Sequence, residues 1–245
     1  SLKDPKLMPS LLDKAGALGL LGTSVPVELG GFGMSFNTTM LVAEVLGSSH
    51  SFAVAYGAHT GIGTLPILYY GTEEQKKKYL VPLAKGEHMG AFSLTEPQAG
   101  TDVMAMSTTA VRDGGDYVID GTKTFVSNGP LADTYILFCW TDRSAGRKGM
   151  SAFIVPKGSP GLVPGKHFDK MGLRASQTSE VVFRKCRIPA GNLLGKEGAG
   201  FSMAMTGFDH GRIGIAAQAV GMLQAALDES IRYSKERVQM GGPIA

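Results

Sequence analysis

The spacing of hydrophobic and polar positions along the 245-residue chain changes period twice. From Ser1 to about Gly86 the apolar residues recur at helical intervals. Leu7, Leu11, Leu12, Ala15 and Leu18 share one face, and Gly19 and Gly22 close that segment. Pro26 to Gly33 reads as a loop, Asn37 as the cap of a helix running through Leu46, and Gly47 as its far end. Thr72 starts another helix, because Gln75 three residues on completes a capping box and Glu73 and Glu74 favour the positive helix end. Lys76 to Lys78 follow. They could hold an anion, but the ordinary reading of such a run is a solvated helix face.

Between about Met89 and Ile188 the pattern shortens to alternation. The predicted strands are Met89 to Leu94, Tyr117 to Ile119, Thr122 to Val126, Thr134 to Trp140, Ser151 to Val155 and Glu180 to Arg187. Asp120-Gly121 is a two-residue hairpin signal between the second and third. No helix of useful length interrupts these strands, which favours an antiparallel barrel or sandwich over a parallel α/β sheet. After Gly200 the helical period returns. Ala216, Val220, Leu223, Leu227 and Ile231 form a long apolar stripe, and Asp228 with Arg232 and Arg232 with Glu236 can pair on the outer face. A helix this long and this apolar needs partner helices.

Composition narrows the function classes. With 43% hydrophobic residues and no apolar run long enough to cross a bilayer, the chain reads as globular, with no integral membrane segment. Its 34 glycines call for many tight turns and close backbone approaches, and a net charge of +3 is too small to imply nucleic acid. Cys139 and Cys186 each sit in an apolar run, as buried thiols of a reducing compartment would. The five histidines show no ligand spacing, so no metal site is expected. No signal or transit peptide is visible at Ser1.

Two stretches carry candidate chemistry. In Ala91-Phe-Ser-Leu-Thr-Glu-Pro-Gln-Ala-Gly-Thr-Asp102 a short strand breaks at Thr95-Glu96-Pro97, because proline fixes its own backbone and pushes Glu96 out of the helical region. The loop carries hydroxyls at Thr95 and Thr101, a carboxylate at Asp102, and Gly100, where a ligand can come close to the backbone. The second stretch is Tyr117-Val-Ile-Asp-Gly-Thr-Lys-Thr-Phe-Val-Ser-Asn-Gly129.

Together these stretches resemble the acyl-CoA dehydrogenase family. The first matches the loop after the opening strand of its middle β-domain, and the second a strand ending in an aromatic residue, any residue, Ser or Thr, then Asn. Gly71 to Leu80, Lys170 to Ser176, Asn192 to Gly195 and Phe208 to Arg212 match in the family's order. The resemblance implies an α+β chain with a helical domain over residues 1–88, a β-barrel domain over 89–197 and, from 198 to 245, the first long helix of a C-terminal bundle. It further implies that both ends continue into segments outside this sequence.

The implied activity is FAD-dependent α,β-dehydrogenation of an acyl-CoA thioester, with electrons passed to an electron-transfer flavoprotein. By resemblance Phe92, Leu94, Thr95, Gly100, Thr101, Phe125, Val126 and Ser127 hold FAD, with the Ser127 hydroxyl toward N5. For Phe92, Leu94 and Phe125 the alternative is plain barrel core. Thr101, Asp209, Gly211 and Arg212 fall where the substrate and its CoA portion lie, the alternative for the last three being a helix-surface salt bridge. Arg237 and Gln239 match positions that reach the FAD of a neighbouring subunit in a homo-oligomer, a tetramer or dimer, although Met240 replaces the usual phenylalanine. The catalytic base has no candidate here. Some relatives carry it where this chain has Gly211, and others far downstream. An acyl-CoA oxidase and a non-catalytic relative remain as alternatives. The compartment implied is the cytoplasm in bacteria or archaea and the mitochondrial matrix in eukaryotes.

Overall fold

The computed structural model describes Asp4 and residues 6–245, so Ser1 to Lys3 of the predicted helical region lie outside the described residues. The N-terminal part holds helices α1 (Leu7–Ala17), α2 (Phe36–Leu46), α3 (His50–Gly57), α4 (Leu65–Tyr70), α5 (Glu73–Gln75) and α6 (Val81–Lys85). Of the predicted α1 stripe, Leu12 and Ala15 are buried against Leu21, Ala55 and Tyr56, joined by Met8, which the pattern missed, while Leu18 beyond the helix end is exposed. The capping box at Thr72 and Gln75 forms in both directions. The cap of α2 is Ser35 rather than Asn37. Its hydroxyl accepts from the Thr38 N–H, and Phe36 and Asn37 are already inside the helix.

Eight strands form one sheet: β1 (Gly90–Ser93), β2 (Thr109–Asp113), β3 (Asp116–Ser127), β4 (Thr134–Trp140), β5 (Met150–Pro156), β6 (Leu162–Pro164), β7 (Thr178–Pro189) and β8 (Leu193–Leu194). Their order is β6-β7-β3-β2-β4-β5-β8, with β1 beside β4. Most pairs are antiparallel, as alternation suggests, but β1 and β2 each lie parallel to β4. Strand β4 is buried along its whole length. Tyr135, Leu137 and Cys139 pack inside the sheet against Val126, Val181 and Phe183, whereas Ile136, Phe138 and Trp140 face the helices. This two-sided burial explains why β4 reads as a continuous apolar run. Cys139 and Cys186 are buried free thiols.

The predicted hairpin at Asp120-Gly121 is not formed. β3 runs straight through it as one 12-residue strand, and the reversal lies at Gly114-Gly115, between β2 and β3. At Gly121 the register against β7 shifts, and a Cβ there would meet the Thr108 hydroxyl oxygen at 2.2 Å. That glycine therefore serves a bulge and a close crossing. Asp120 accepts from the Lys185 N–H at 2.8 Å across the same irregularity.

The long helix α7 (Gly200–Glu236) has 37 residues, and a two-strand turn, β9 (Val238–Gln239) with β10 (Gly242–Pro243), follows it. Met203, Ala204, Gln218 and Gly221 are its buried contacts, whereas Val220, Leu223, Leu227 and Ile231 of the apolar stripe are exposed. Arg232 pairs with Glu236 at 2.7 Å as predicted, but its other partner is Glu229 rather than Asp228. Asp228 accepts from Gln224 instead.

Candidate functional site

The two stretches singled out in the sequence meet. Thr124 turns its backbone N–H away from β7 and donates it to the Thr95 carbonyl at 2.8 Å. The β3–β7 register breaks between Lys123 and Val126 to allow this. In the gap Phe125 takes a left-handed backbone (φ 54°), rare for an aromatic residue, and its ring swings outward, 68% exposed, against Phe168. Phe125 is therefore not barrel core.

The other predicted residues divide by side chain. Phe92 is half-buried and packs on Phe138 and on Phe208 of α7. Leu94 is buried in the same apolar layer. Val126 points into the sheet interior, so only its backbone can face a ligand. Gly100 and Thr101 form an exposed bend, and a Cβ on Gly100 meets nothing within 4 Å. Asp102 caps the following turn by accepting from the Met104 N–H at 3.0 Å. Among the described residues the hydroxyls of Thr95, Thr101 and Ser127 have no hydrogen-bond partner.

Ser127 also lines an apolar cavity of about 300 Å³ that no sequence motif signals. Its walls come from α2, α3, α4 and α7, with Met40, Ala43, Leu65, Met203, Gly207 and Gly211 among them. No aspartate or glutamate is among its lining residues. Backbone proximity shapes it: a Cβ on Gly47 would lie 2.4 Å from the Gln218 carbonyl oxygen, so the helices pack closer than side chains allow. His210 stands at the wall with its ring against Phe36 and Tyr69. Asp209 and Arg212, one turn apart, face solvent and form a loose 3.6 Å pair, as the surface reading of those residues has it, while Arg212 lies over the Phe208 ring.

Arg237 and Gln239 are not brought to this place. Both are exposed beyond the end of α7, about 43 Å along the helix from Phe208 at 1.5 Å per residue.

A buried polar seam joins the helices to the sheet. The His59 Nδ1 accepts the Gly90 N–H at 2.9 Å, so Nε2 carries the proton and donates to the Leu83 carbonyl at 3.1 Å. Burial lowers the His59 pKa to about 4. Asn128 donates to the Ala55 carbonyl at 2.9 Å. Sequence reasoning also missed the buried ion pair of Glu96 with Lys123, one charged residue from each of the two stretches.

Family models place the same motifs. Residues 3–87 match the acyl-CoA dehydrogenase N-terminal domain, 91–186 the middle domain and 198–245 the C-terminal domain. The chain belongs to the acyl-CoA dehydrogenase family. It is 48% identical to an acyl-CoA dehydrogenase of Bacillus subtilis, over 96% of this chain and 62% of the relative. Butyryl-CoA dehydrogenase from Megasphaera elsdenii superposes with a TM-score of 0.92 at 44% identity, over 96% of this chain and 63% of that one. A chain solved in work on the electron transferring flavoprotein of Acidaminococcus fermentans superposes at 0.93, with 48% identity, over 96% of this chain and 62% of that one. This chain thus spans about three fifths of the length of these acyl-CoA dehydrogenase relatives.

Proposed function

We propose that the protein is an FAD-dependent dehydrogenase of short-chain acyl-CoA thioesters, organised in domains over residues 1–88, 89–197 and 198–245. The observation that carries this reading is the junction of the Thr95 loop with the Phe125 to Ser127 segment, at which Ser127 also forms part of the cavity wall. One residue thereby belongs both to a planar, hydroxyl-lined groove and to an apolar pocket, which a redox step between a flavin and an acyl chain requires.

The residues fit the cofactor. Unpaired hydroxyls at Thr95, Thr101 and Ser127, an open backbone at Gly100 and an outward aromatic ring at Phe125 are the donors and the flat apolar face a flavin needs. When bound, FAD supplies the acceptor for the hydride leaving the β-carbon. The chain's part is placement: Ser127 donates at the groove, Phe92 and Leu94 back it, and the cavity holds the acyl chain away from water. Removing the α-proton calls for a carboxylate base, and none lines the cavity among the described residues. In the family reading Arg237 and Gln239 act on the FAD of a neighbouring subunit of a homo-oligomer. Electrons pass to an electron-transfer flavoprotein, in the cytoplasm or mitochondrial matrix according to the organism.

The test is anaerobic mixing of the FAD-reconstituted full-length protein with butyryl-CoA, following flavin absorbance. Bleaching is expected, with slow recovery in air. A folded protein that takes up no flavin, or keeps its colour with every saturated thioester tried, overturns the reading. Fast recovery in air turns it toward an oxidase.

A further inference from the structure

Glu96 and Lys123 form an ion pair at 2.8 Å with neither side chain exposed. Two charges removed from water persist only where their remaining donors and acceptors are satisfied, and here they are. Glu96 Oε1 also accepts from the Thr108 N–H and hydroxyl, and Oε2 accepts from the Ser107 N–H, the Ser107 hydroxyl and the Gln98 amide. Lys123 Nζ donates to Glu96 and, at 2.9 Å, to the Leu94 carbonyl. Burial opposes the charged carboxylate, but Lys123, Thr108 and Ser107 outweigh it and hold Glu96 well below the usual carboxylate range.

The placement of the pair is what matters. Leu94 and Glu96 flank Thr95, and Lys123 precedes Thr124, whose N–H holds the Thr95 carbonyl. Thr95 is thus fixed by its neighbour on each side and by its own carbonyl, always to the segment that carries Phe125 and Ser127. Neither charged residue lines the cavity. Closing the strands does not need the pair either, because β3 has its own ladder to β7.

We infer that the Glu96–Lys123 pair is a positioning device that fixes the separation of the two walls between which the flavin is held. The inference rests on the flavin reading above. Lys123 holds the Leu94 carbonyl, and the pair acts through Thr95 and the bulge beneath Phe125. Glu96→Gln keeps the shape but leaves the ammonium without its counter-charge. The loop is then free to drift from the strand, and FAD loses affinity beyond any general loss of stability.

The experiment measures the FAD dissociation constant and the thermal midpoint of the FAD-free form for the full-length protein and three variants. Glu96→Gln is expected to weaken FAD binding at least about tenfold, and Ser107→Ala, which removes one donor to Glu96, by about threefold. Leu12→Ala, in the separate core beneath α1, is expected to lower the midpoint while changing FAD affinity by less than about twofold. The inference is overturned if Ser107→Ala and Glu96→Gln bind FAD as the parent does, or if Leu12→Ala weakens binding as much at an equal loss of midpoint. If Glu96→Gln does not fold, Ser107→Ala decides alone. A parent protein that binds no FAD removes the flavin reading itself, a result distinct from tight binding by every variant.

Discussion

Gly221 of α7 meets the carbonyl oxygen of Glu44 so closely that a Cβ on the glycine would lie 1.7 Å from that oxygen. Two of the helices that wall the cavity, α2 and α7, cross at this point, and only glycine permits the approach. Gly221→Ala must push them apart and should cost about 1–3 kcal/mol or more, as overpacking does. Gly207 lies on the same helix with nothing within 4 Å of its missing Cβ, so Gly207→Ala should instead stabilise by about 0.5–1 kcal/mol through helix propensity. Denaturant midpoints of both variants check the contrast. Equal effects would show that the crossing is not tight.

His59 predicts an acid limit. Its folded pKa of about 4 lies below the ordinary 6.5, so the unfolded chain binds the proton first. The stability that neutral His59 represents is fully present above pH 6.5 and is lost as pH falls from 6.5 through about 4. Integrated over that window the loss is on the order of 3 kcal/mol. His59→Gln should flatten this part of the curve of unfolding free energy against pH; an unchanged slope would assign the loss to other groups.

Gly211 stands in the cavity wall, and a Cβ there meets only the Ile62 Cγ2 at 3.7 Å. There is room for a side chain where the wall has no carboxylate. The 245-residue chain loaded with FAD should therefore leave the flavin oxidised on mixing with butyryl-CoA, and Gly211→Glu should raise the bleaching rate by about 100-fold or more, the usual worth of a placed base. Anaerobic stopped-flow absorbance reads both. Rapid bleaching of the unaltered chain would show that a base already lies within it, and Asp209 would be the first residue to replace.

Arg237 is exposed and far from the groove of its own chain. Arg237→Ala in the full-length protein should weaken FAD binding by about 1.5–3 kcal/mol, the value of a charge-assisted hydrogen bond, and only in the oligomer. Titration of FAD across protein concentration tests this. A monomer with unchanged affinity would remove the intersubunit role.

What the sequence made legible follows from which forces are local. Capping at Thr72 and Gln75 and the apolar run of β4 are set by near neighbours and form as the sequence predicts, whereas the predicted α1 stripe holds at Leu12 and Ala15 but fails at exposed Leu18 and omits buried Met8. Asp120-Gly121 misled because its glycine answers to Thr108, a residue distant in sequence, rather than to a turn. Glu96 and Lys123 were hidden for a related reason. An ion pair 27 positions apart leaves no period. The cavity was out of reach altogether, because it is the gap left between helices whose closest approaches are set by absent side chains. The motif residues are recognised by likeness, and the structure separates outward-facing Phe125 from Val126, which faces the core.

The length of α7 has a mechanical consequence. Its buried contact at Gly221 is a fulcrum, and the 16 residues from there to Arg237 form an arm of about 24 Å, so each degree of tilt at the crossing carries the tip about 0.4 Å. The stripe along the arm is exposed, and only the C-terminal turn folds back on it, with Ala245 donating to the Ser234 carbonyl among the described residues. A single methyl group added between α2 and α7 is therefore felt most at the far end, where Arg237 and Gln239 stand.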